Sequence, residues 1–250
     1  EKPDIVYLRE PKLAFCMCLL MGKKLNFVYE IHNEGPDFIS KILHRYLLPR
    51  ATGVVCITKS MQIALEKKYA FLHGRIVLAA MAFDPKLFPV SVLPDTAIAC
   101  RELRLNPAQP VILYVGSTLD EWKGFTYLMD AAGILPESQF VVLGGNQASI
   151  AKWQAYALAH NIHNVRFEGY ITKKAPYYGA ATALVATTNR DPNDTGDSPM
   201  KIFEYMATGK PIVAMAGIVV KEVLTHKHNA VLVTERSAEA LAAGISAVLN

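Results

Sequence analysis

At 250 residues, with 52% hydrophobic and 19% charged residues, the chain is foldable and too large for a single small module. One large or two medium α/β domains is the natural expectation. The net charge of +4 comes from scattered basic residues, paired only at places such as Lys23-Lys24, Lys67-Lys68 and Lys173-Lys174. These read as solvated faces, with a weak preference for anionic ligands or an anionic membrane surface as the alternative, and nothing resembles a nucleic-acid stripe interleaved with aromatics. Four cysteines, Cys16, Cys18, Cys56 and Cys100, sit mostly in apolar surroundings without zinc or redox spacing. That usage predicts buried thiols in a reduced, cytosolic protein.

In chain order, residues 4–8 read as a strand, 11–22 as an apolar helix and 26–31 as a strand ending at His32. The apolar run 13–21 is far shorter than the ~20 residues of a membrane span, and it lacks the basic start and cleavage site of a signal peptide. The pattern continues with helix 38–48, strand 53–57, helix 59–69 capped by Thr58, and strand 75–79. This alternation predicts a parallel sheet with helices on its faces. Between 83 and 110 it dissolves into Asp84-Pro85, Phe88-Pro89, Pro94-Asp95 and Asn106-Pro107 around a short helix near 97–103. A boundary near residue 90 follows, giving domains 1–90 and 91–250. Beyond it come strand 111–115, helix 123–135, strand 140–143, helix 150–160 and strands 165–168 and 183–186. Strands 212–214 and 230–233 and helix 238–249 complete the run. The second half reads as a whole Rossmann-like domain. The first reads as part of one, and a chain beginning at Glu1 without Met is expected to be a fragment.

Between strands 183–186 and 212–214 lies the most informative stretch, 197–214. Ser198 suits an N-cap and Pro199 the first helical position, while Gly209 and Pro211 end the helix. Met200, Phe203, Met206 and Ala207 follow a helical rhythm and predict the buried stripe, leaving Glu204 on the other face of a helix whose N-terminus suits an anion. Upstream, Gly116 follows a strand and gives a ligand close access to backbone, Lys123 supplies a point charge at the next helix start, and Gly144-Gly145 follow another strand. These turns point to a phosphorylated ligand.

Other chemistries lack their signatures. No Gly-x-Gly-x-x-Gly, Walker loop, Gly-x-Ser-x-Gly elbow or His-Glu-x-x-His occurs. His160 with His163, and His226 with His228, lack a completing carboxylate or Cys, so no metal site is expected. Asp191, Asn193, Asp194 and Asp197 suggest a metal-binding acidic cluster, a polar active-site loop or a solvated turn.

Tyr114-Val115-Gly116-Ser117 with Lys123-Gly124, then Val142-Leu143-Gly144-Gly145, Phe167-Glu168-Gly169-Tyr170, and Ser198-Pro199-Met200-Lys201-Ile202-Phe203-Glu204-Tyr205-Met206-Ala207-Thr208-Gly209-Lys210-Pro211 occur in that order. Together they resemble glycosyltransferase family 4. Glu30-Ile31-His32, residues 51–60 and Ala82-Phe83-Asp84-Pro85-Lys86-Leu87-Phe88 extend the likeness more weakly into the first half. The resemblance implies the GT-B architecture, two Rossmann-like domains facing a cleft with the N-terminal acceptor-side domain incomplete here. It implies retaining transfer of a sugar from a nucleoside-diphosphate sugar to a glycan or lipid-linked acceptor. No cofactor or metal is implied, and the place of work is the cytoplasm or the inner face of a membrane.

Carried over by position, the resemblance implies that Glu204 binds the nucleotide's ribose and Lys123 its diphosphate. Gly116, Ser117 and Gly144 would lie along the donor, and the helix start at Ser198, Pro199, Met200 and Lys201 would meet phosphates or donor sugar. Tyr170 and Ile171 would lie near the base, and His32 would contact the donor sugar from the first domain. Two positions depart from the family: Gly196 stands where a first glutamate is usual, with Asp197 the neighbouring substitute, and Ser117 stands where Arg is common, with Lys201 or Arg190 to compensate. The alternatives are a sugar-nucleotide epimerase of the same fold and a non-catalytic binding subunit.

Overall fold

The computed structural model describes residues 3–32, 38–85, 93–195 and 200–249. The chain divides into two compact units, Glu1–Met81 with Asn193–Ser198, and Ala82–Pro192 with Pro199–Asn250. The boundary expected near residue 90 lies outside the described residues.

The first unit contains β1 (Val6–Leu8), α1 (Pro11–Met21), β2 (Phe27–Ile31), α2 (Phe38–Leu47), β3 (Gly53–Cys56), α3 (Lys59–Lys68) and β4 (Ile76–Leu78). Its strands form a parallel sheet in the order β1-β2-β3-β4. Phe27, Tyr29 and Ile31 on alternate positions of β2 pack with Leu47, Val54 and Leu65 into the core. Thr58 caps α3 as its sequence predicts, its hydroxyl accepting from the Met61 amide at 3.2 Å.

The second unit contains α4 (Thr96–Glu102), β5 (Val111–Val115), α5 (Phe125–Ile134), β6 (Gln139–Leu143), α6 (Gln147–Ala159), β7 (Val165–Gly169) and α7 (Ala175–Ala180). These are followed by β8 (Ala183–Ala186), α8 (Met200–Thr208), β9 (Ile212–Met215), β10 (Val231–Val233) and α9 (Ala238–Leu249). The parallel sheet runs β10-β9-β8-β5-β6-β7. The chain thus walks outward from β5 through β6 to β7 and restarts on the other side of β5 with β8. In open α/β sheets such a switch point leaves a crevice at the carboxyl ends of the two strands, where ligands bind.

Both faces of this sheet are covered, which is why β5, β6, β8 and β9 read as nearly continuous apolar runs. Val111, Leu113, Leu184, Ile212 and Ala214 face a core completed by Tyr178, Ile202 and Tyr205. Ile112, Tyr114, Val185 and Val213 face the opposite core, with Phe125, Trp153, Leu241 and Ile245.

Four local expectations are corrected. Helix α8 buries Ile202 and Tyr205, whereas Met200 is 49% and Met206 41% exposed. Both stripes fit the helical period; the phenol wins the core because its hydroxyl finds partners there. The helix expected from 123 is a short 3-10 turn, Glu121–Lys123, followed by Gly124 in the left-handed region and then α5. A Cβ on Gly124 would lie 2.9 Å from the Thr188 amide nitrogen, so the kink follows close backbone packing. Helix α7 was not anticipated, being only six residues. Finally, Cys16 is exposed while Cys18, Cys56 and Cys100 are buried. Positions two apart on α1 project to nearly opposite sides, so Cys16 and Cys18 cannot share the core face.

Candidate functional site

In the second unit the candidate residues gather at the carboxyl ends of the central strands. Glycine turns tie those ends together. The Gly116 amide donates to the Leu143 carbonyl at 2.9 Å, Gly144 to the Gly169 carbonyl at 2.6 Å, and Gly145 to the Ser117 carbonyl at 3.3 Å. Gly144 has φ +108°, and a Cβ there would fall 1.6 Å from the Gly116 carbonyl oxygen. Gly116 and Gly144 are therefore in direct contact, with Ser117 exposed beside them.

The crevice between β5 and β8 is spanned by α8. The Val115 amide donates to the Tyr205 hydroxyl at 2.9 Å, and that hydroxyl donates to the Val185 carbonyl at 3.2 Å. Burial holds the Tyr205 phenol well above its ordinary pKa, so it remains a donor. Lys201, one turn earlier on α8, sets its ammonium 4.2 Å from the centroid of the Tyr114 ring. Tyr114 is fully buried, and burial pushes its phenol up to about 12.

Glu204 is half-buried and engaged. The Lys174 ammonium donates to both carboxylate oxygens, at 2.8 Å to Oε1 and 2.6 Å to Oε2, and the Tyr178 hydroxyl donates to Oε2 at 2.7 Å. Sequence reading missed both partners and took Lys173-Lys174 as part of a solvated face. The available signal was the four-residue spacing from Lys174 to Tyr178, which puts both on one side of a helical turn.

Lys123 stands apart from this group within the same unit. Its ammonium donates to Thr118 Oγ1 at 2.7 Å, and the Thr118 hydroxyl donates to Asp120 Oδ2 at 2.6 Å. Its backbone carbonyl accepts from the Thr187 hydroxyl at 2.7 Å, which joins the turn after β5 to the segment after β8. The Trp122 ring carries two cations, the Lys123 ammonium at 5.0 Å and the Arg190 guanidinium at 4.6 Å from its centroid. The cations suggested as replacements at Ser117 thus both lie over aromatic rings, Lys201 on Tyr114 and Arg190 on Trp122. Tyr170 is 79% exposed after β7, and Ile171 packs against the core face that holds Tyr205. Asp197, Ser198 and Pro199, and also Gly196, lie outside the described residues.

His32 belongs to the first unit, at the carboxyl end of β2. Its Nε2 bonds Glu30 and its Nδ1 lies 3.2 Å from the Arg9 guanidinium. An arginine only donates, so Nδ1 accepts and Nε2 carries the proton toward Glu30. Tyr7 also donates to Glu30. Burial pushes the Glu30 carboxyl up, but the hydrogen bonds from Tyr7 and His32 and the Arg9 charge outweigh it and hold it below the usual glutamate value of 4.5. A carboxyl depressed in the folded state stabilises above its unfolded pKa, and that contribution disappears as pH falls through the folded value. Urea titrations from pH 7 to 3 should therefore show wild type losing more stability than Glu30→Gln below about pH 4.5. Parallel losses in the two proteins would remove Glu30 as the cause.

Among the described residues no group of three His, Cys, Asp or Glu side chains is placed to hold a metal ion. His160 stacks on Tyr156 with ring centroids 3.9 Å apart, and His226 Nδ1 accepts from the Leu232 amide at 3.0 Å. Among those residues, too, no helix is long and apolar enough to cross a membrane.

The family model described as Glycosyl transferases group 1 matches residues 109–250. No curated protein matches the chain. Sucrose-phosphate synthase from Thermosynechococcus elongatus is similar in structure, with a TM-score of 0.80 and 22% identity over 98% of this chain and 64% of that one. HepE of Anabaena, in complex with UDP and glucose, gives a TM-score of 0.78 and 21% identity over 99% of this chain and 68% of that one. A glycosyltransferase from Rickettsia africae gives a TM-score of 0.78 and 17% identity, over 98% and 66%. These likenesses carry the fold, two α/β units of the GT-B class. The present chain spans 64% of the synthase chain.

Proposed function

The chain belongs to the group 1 glycosyl transferases, and from that premise we propose that it moves a sugar from a nucleoside-diphosphate sugar to a glycan or lipid-linked acceptor, with retention at the anomeric carbon. The observation that carries the donor half of this reading is the arrangement of α8. Tyr205 ties the helix to the ends of β5 and β8, and the adjacent Glu204 presents a fixed carboxylate. Complexes of HepE with UDP and with UDP-glucose support a nucleotide sugar as donor.

In this reading Glu204 accepts from a ribose hydroxyl, Lys123 meets the diphosphate, and Gly116, Ser117 and Gly144 give the donor bare backbone. The start of α8 at Met200 and Lys201, preceded by Asp197, Ser198 and Pro199, serves the phosphates and donor sugar. Tyr170 and Ile171 serve the base, and His32 the donor sugar. The bond from the anomeric carbon to the diphosphate oxygen breaks as the acceptor oxygen bonds to that carbon on the same face. The proton of the acceptor hydroxyl passes to the departing diphosphate oxygen, which takes the electron pair of the broken bond. Lys123 and helix N–H groups stabilise the developing negative charge, without cofactor or metal. A glycan or lipid-linked acceptor puts the work in the cytoplasm or at the inner face of a membrane.

Incubation with a panel of nucleoside-diphosphate sugars tests the reading. Acceptor-dependent release of nucleoside diphosphate is the expected result. Conversion of the sugar nucleotide without acceptor would instead identify an epimerase, and binding without turnover a non-catalytic subunit. Glu204→Ala should weaken binding of the ribonucleotide by about 10-fold, the worth of a charge-assisted hydrogen bond. Its effect on the 2′,3′-dideoxynucleotide should be small. Equal losses on both ligands would rule out ribose recognition by Glu204.

A further inference from the structure

We propose that Lys174 and Tyr178 are positioning residues that hold the Glu204 carboxylate ready for ribose, an inference that rests on the nucleotide reading of this site. Lys174 directly precedes α7, and Tyr178 follows it by one turn. The two side chains reach the same carboxylate on α8, Lys174 across both oxygens at 2.8 and 2.6 Å and Tyr178 on Oε2 at 2.7 Å.

Lys174 and Glu204 are 25% and 21% exposed, so the ion pair is largely shielded from solvent and its geometry is held by the surrounding packing. Burial, the neighbouring Tyr205 and the charge of Glu204 push the Tyr178 phenol far up, so its hydroxyl only donates toward that carboxylate. The Tyr178 ring meets the Tyr205 ring edge-on, with centroids 6.1 Å apart. Tyr205 in turn is bonded to the ends of β5 and β8. One rigid line of contacts therefore runs from the carboxylate to the switch point of the sheet. A carboxylate has roughly four acceptor positions, and the contacts to Lys174 and Tyr178 take three. The remaining one is on Oε1, which makes Oε1 the oxygen that meets a ribose hydroxyl. Lys174 touches no ligand in this arrangement; it acts through Glu204.

The test is calorimetry on the full chain with UDP and ADP, each beside its 2′,3′-dideoxy analogue. Wild type should prefer the ribonucleotide by about 10-fold, as one hydrogen bond to a charged group predicts. In Lys174→Met that preference should fall to about 2-fold with little change in affinity for the dideoxy analogue, whereas Lys174→Arg should keep most of it. Tyr178→Phe should give an intermediate value. A purely structural role would lower both affinities together and leave their ratio unchanged. An unchanged ratio in folded Lys174→Met, or tighter ribonucleotide binding there, overturns the proposal, the latter by showing that the ammonium competes with ribose. If Lys174→Met does not fold, Tyr178→Phe decides: a reduced ratio supports the proposal and a wild-type ratio overturns it. Wild type binding neither nucleotide overturns the nucleotide reading and the inference with it, an outcome distinct from a nucleotide bound with an unaltered ratio.

Discussion

Gly144→Ala should cost the second unit about 2–6 kcal/mol, the sum of a strained backbone and an overpacked contact. The strain arises because Gly144 has φ +108°, outside the range of an L side chain. The contact is worse: the new methyl carbon would sit 1.6 Å from the Gly116 carbonyl oxygen and 2.7 Å from its carbon. Both are backbone atoms, so no rotamer change relieves the clash. The turns after β5 and β6 must separate, which disturbs the bonds from Gly116 to Leu143 and from Gly144 to Gly169. Against a total stability of about 5–15 kcal/mol for a natural domain, the loss is a large fraction. Gly209→Ala is the control. Gly209 has φ +67° but nothing within 4 Å of its Cβ position, so it should lose only about 1–2 kcal/mol, the left-handed penalty alone. Urea midpoints of the two variants and wild type make the comparison. Equal losses would mean that backbone strain, and not the close approach of the two turns, sets the requirement for glycine at 144.

The same pair of turns shows what the sequence made legible. Gly116 and Gly144 can be read as strand-end turns because the apolar runs 111–115 and 140–143 stop at them. The expected strands 111–115 and 183–186 and helix 238–249 agree with the structure to the residue. What the residues did not disclose is which alternate residue faces which core, or which polar groups meet across elements. On α8 the methionines are as apolar as the residues that are actually buried, so periodicity alone chose the wrong stripe. Only the contact of the Tyr205 hydroxyl with Val115 and Val185 explains why a tyrosine displaces them. The partners of Glu204 were hidden for a similar reason. Tyr178 and Lys174 sit 26 and 30 residues away in sequence, one on a six-residue helix and the other just before it, and so short a helix leaves little periodic signal. In the first unit the ring nitrogens of His32 are already engaged by Arg9 and Glu30, a local network that a strand ending in histidine does not announce.

Lys123→Ala should weaken binding of a nucleoside diphosphate by about 10- to 100-fold, since a charge-assisted hydrogen bond to phosphate contributes about 1.5–3 kcal/mol. The side chain is already ordered: Thr118 accepts its proton at 2.7 Å and Asp120 in turn holds the Thr118 hydroxyl. Its main chain is fixed by Thr187 and by the Gly124 kink against Thr188. Little rotamer entropy is therefore lost on binding, which favours the upper half of the range. Three comparisons isolate the role. The loss should appear with UDP or ADP and largely vanish with the free nucleoside, whereas the Glu204→Ala loss should persist there because ribose is retained. It should shrink as ionic strength rises, since the interaction is between charges at a partly exposed site. Lys152→Ala should leave affinity near wild type, because that ammonium pairs with Glu121 where both side chains are more than half exposed. An equal loss on nucleoside and nucleoside diphosphate would detach Lys123 from the phosphates and leave it as a structural link between the turn after β5 and the segment after β8.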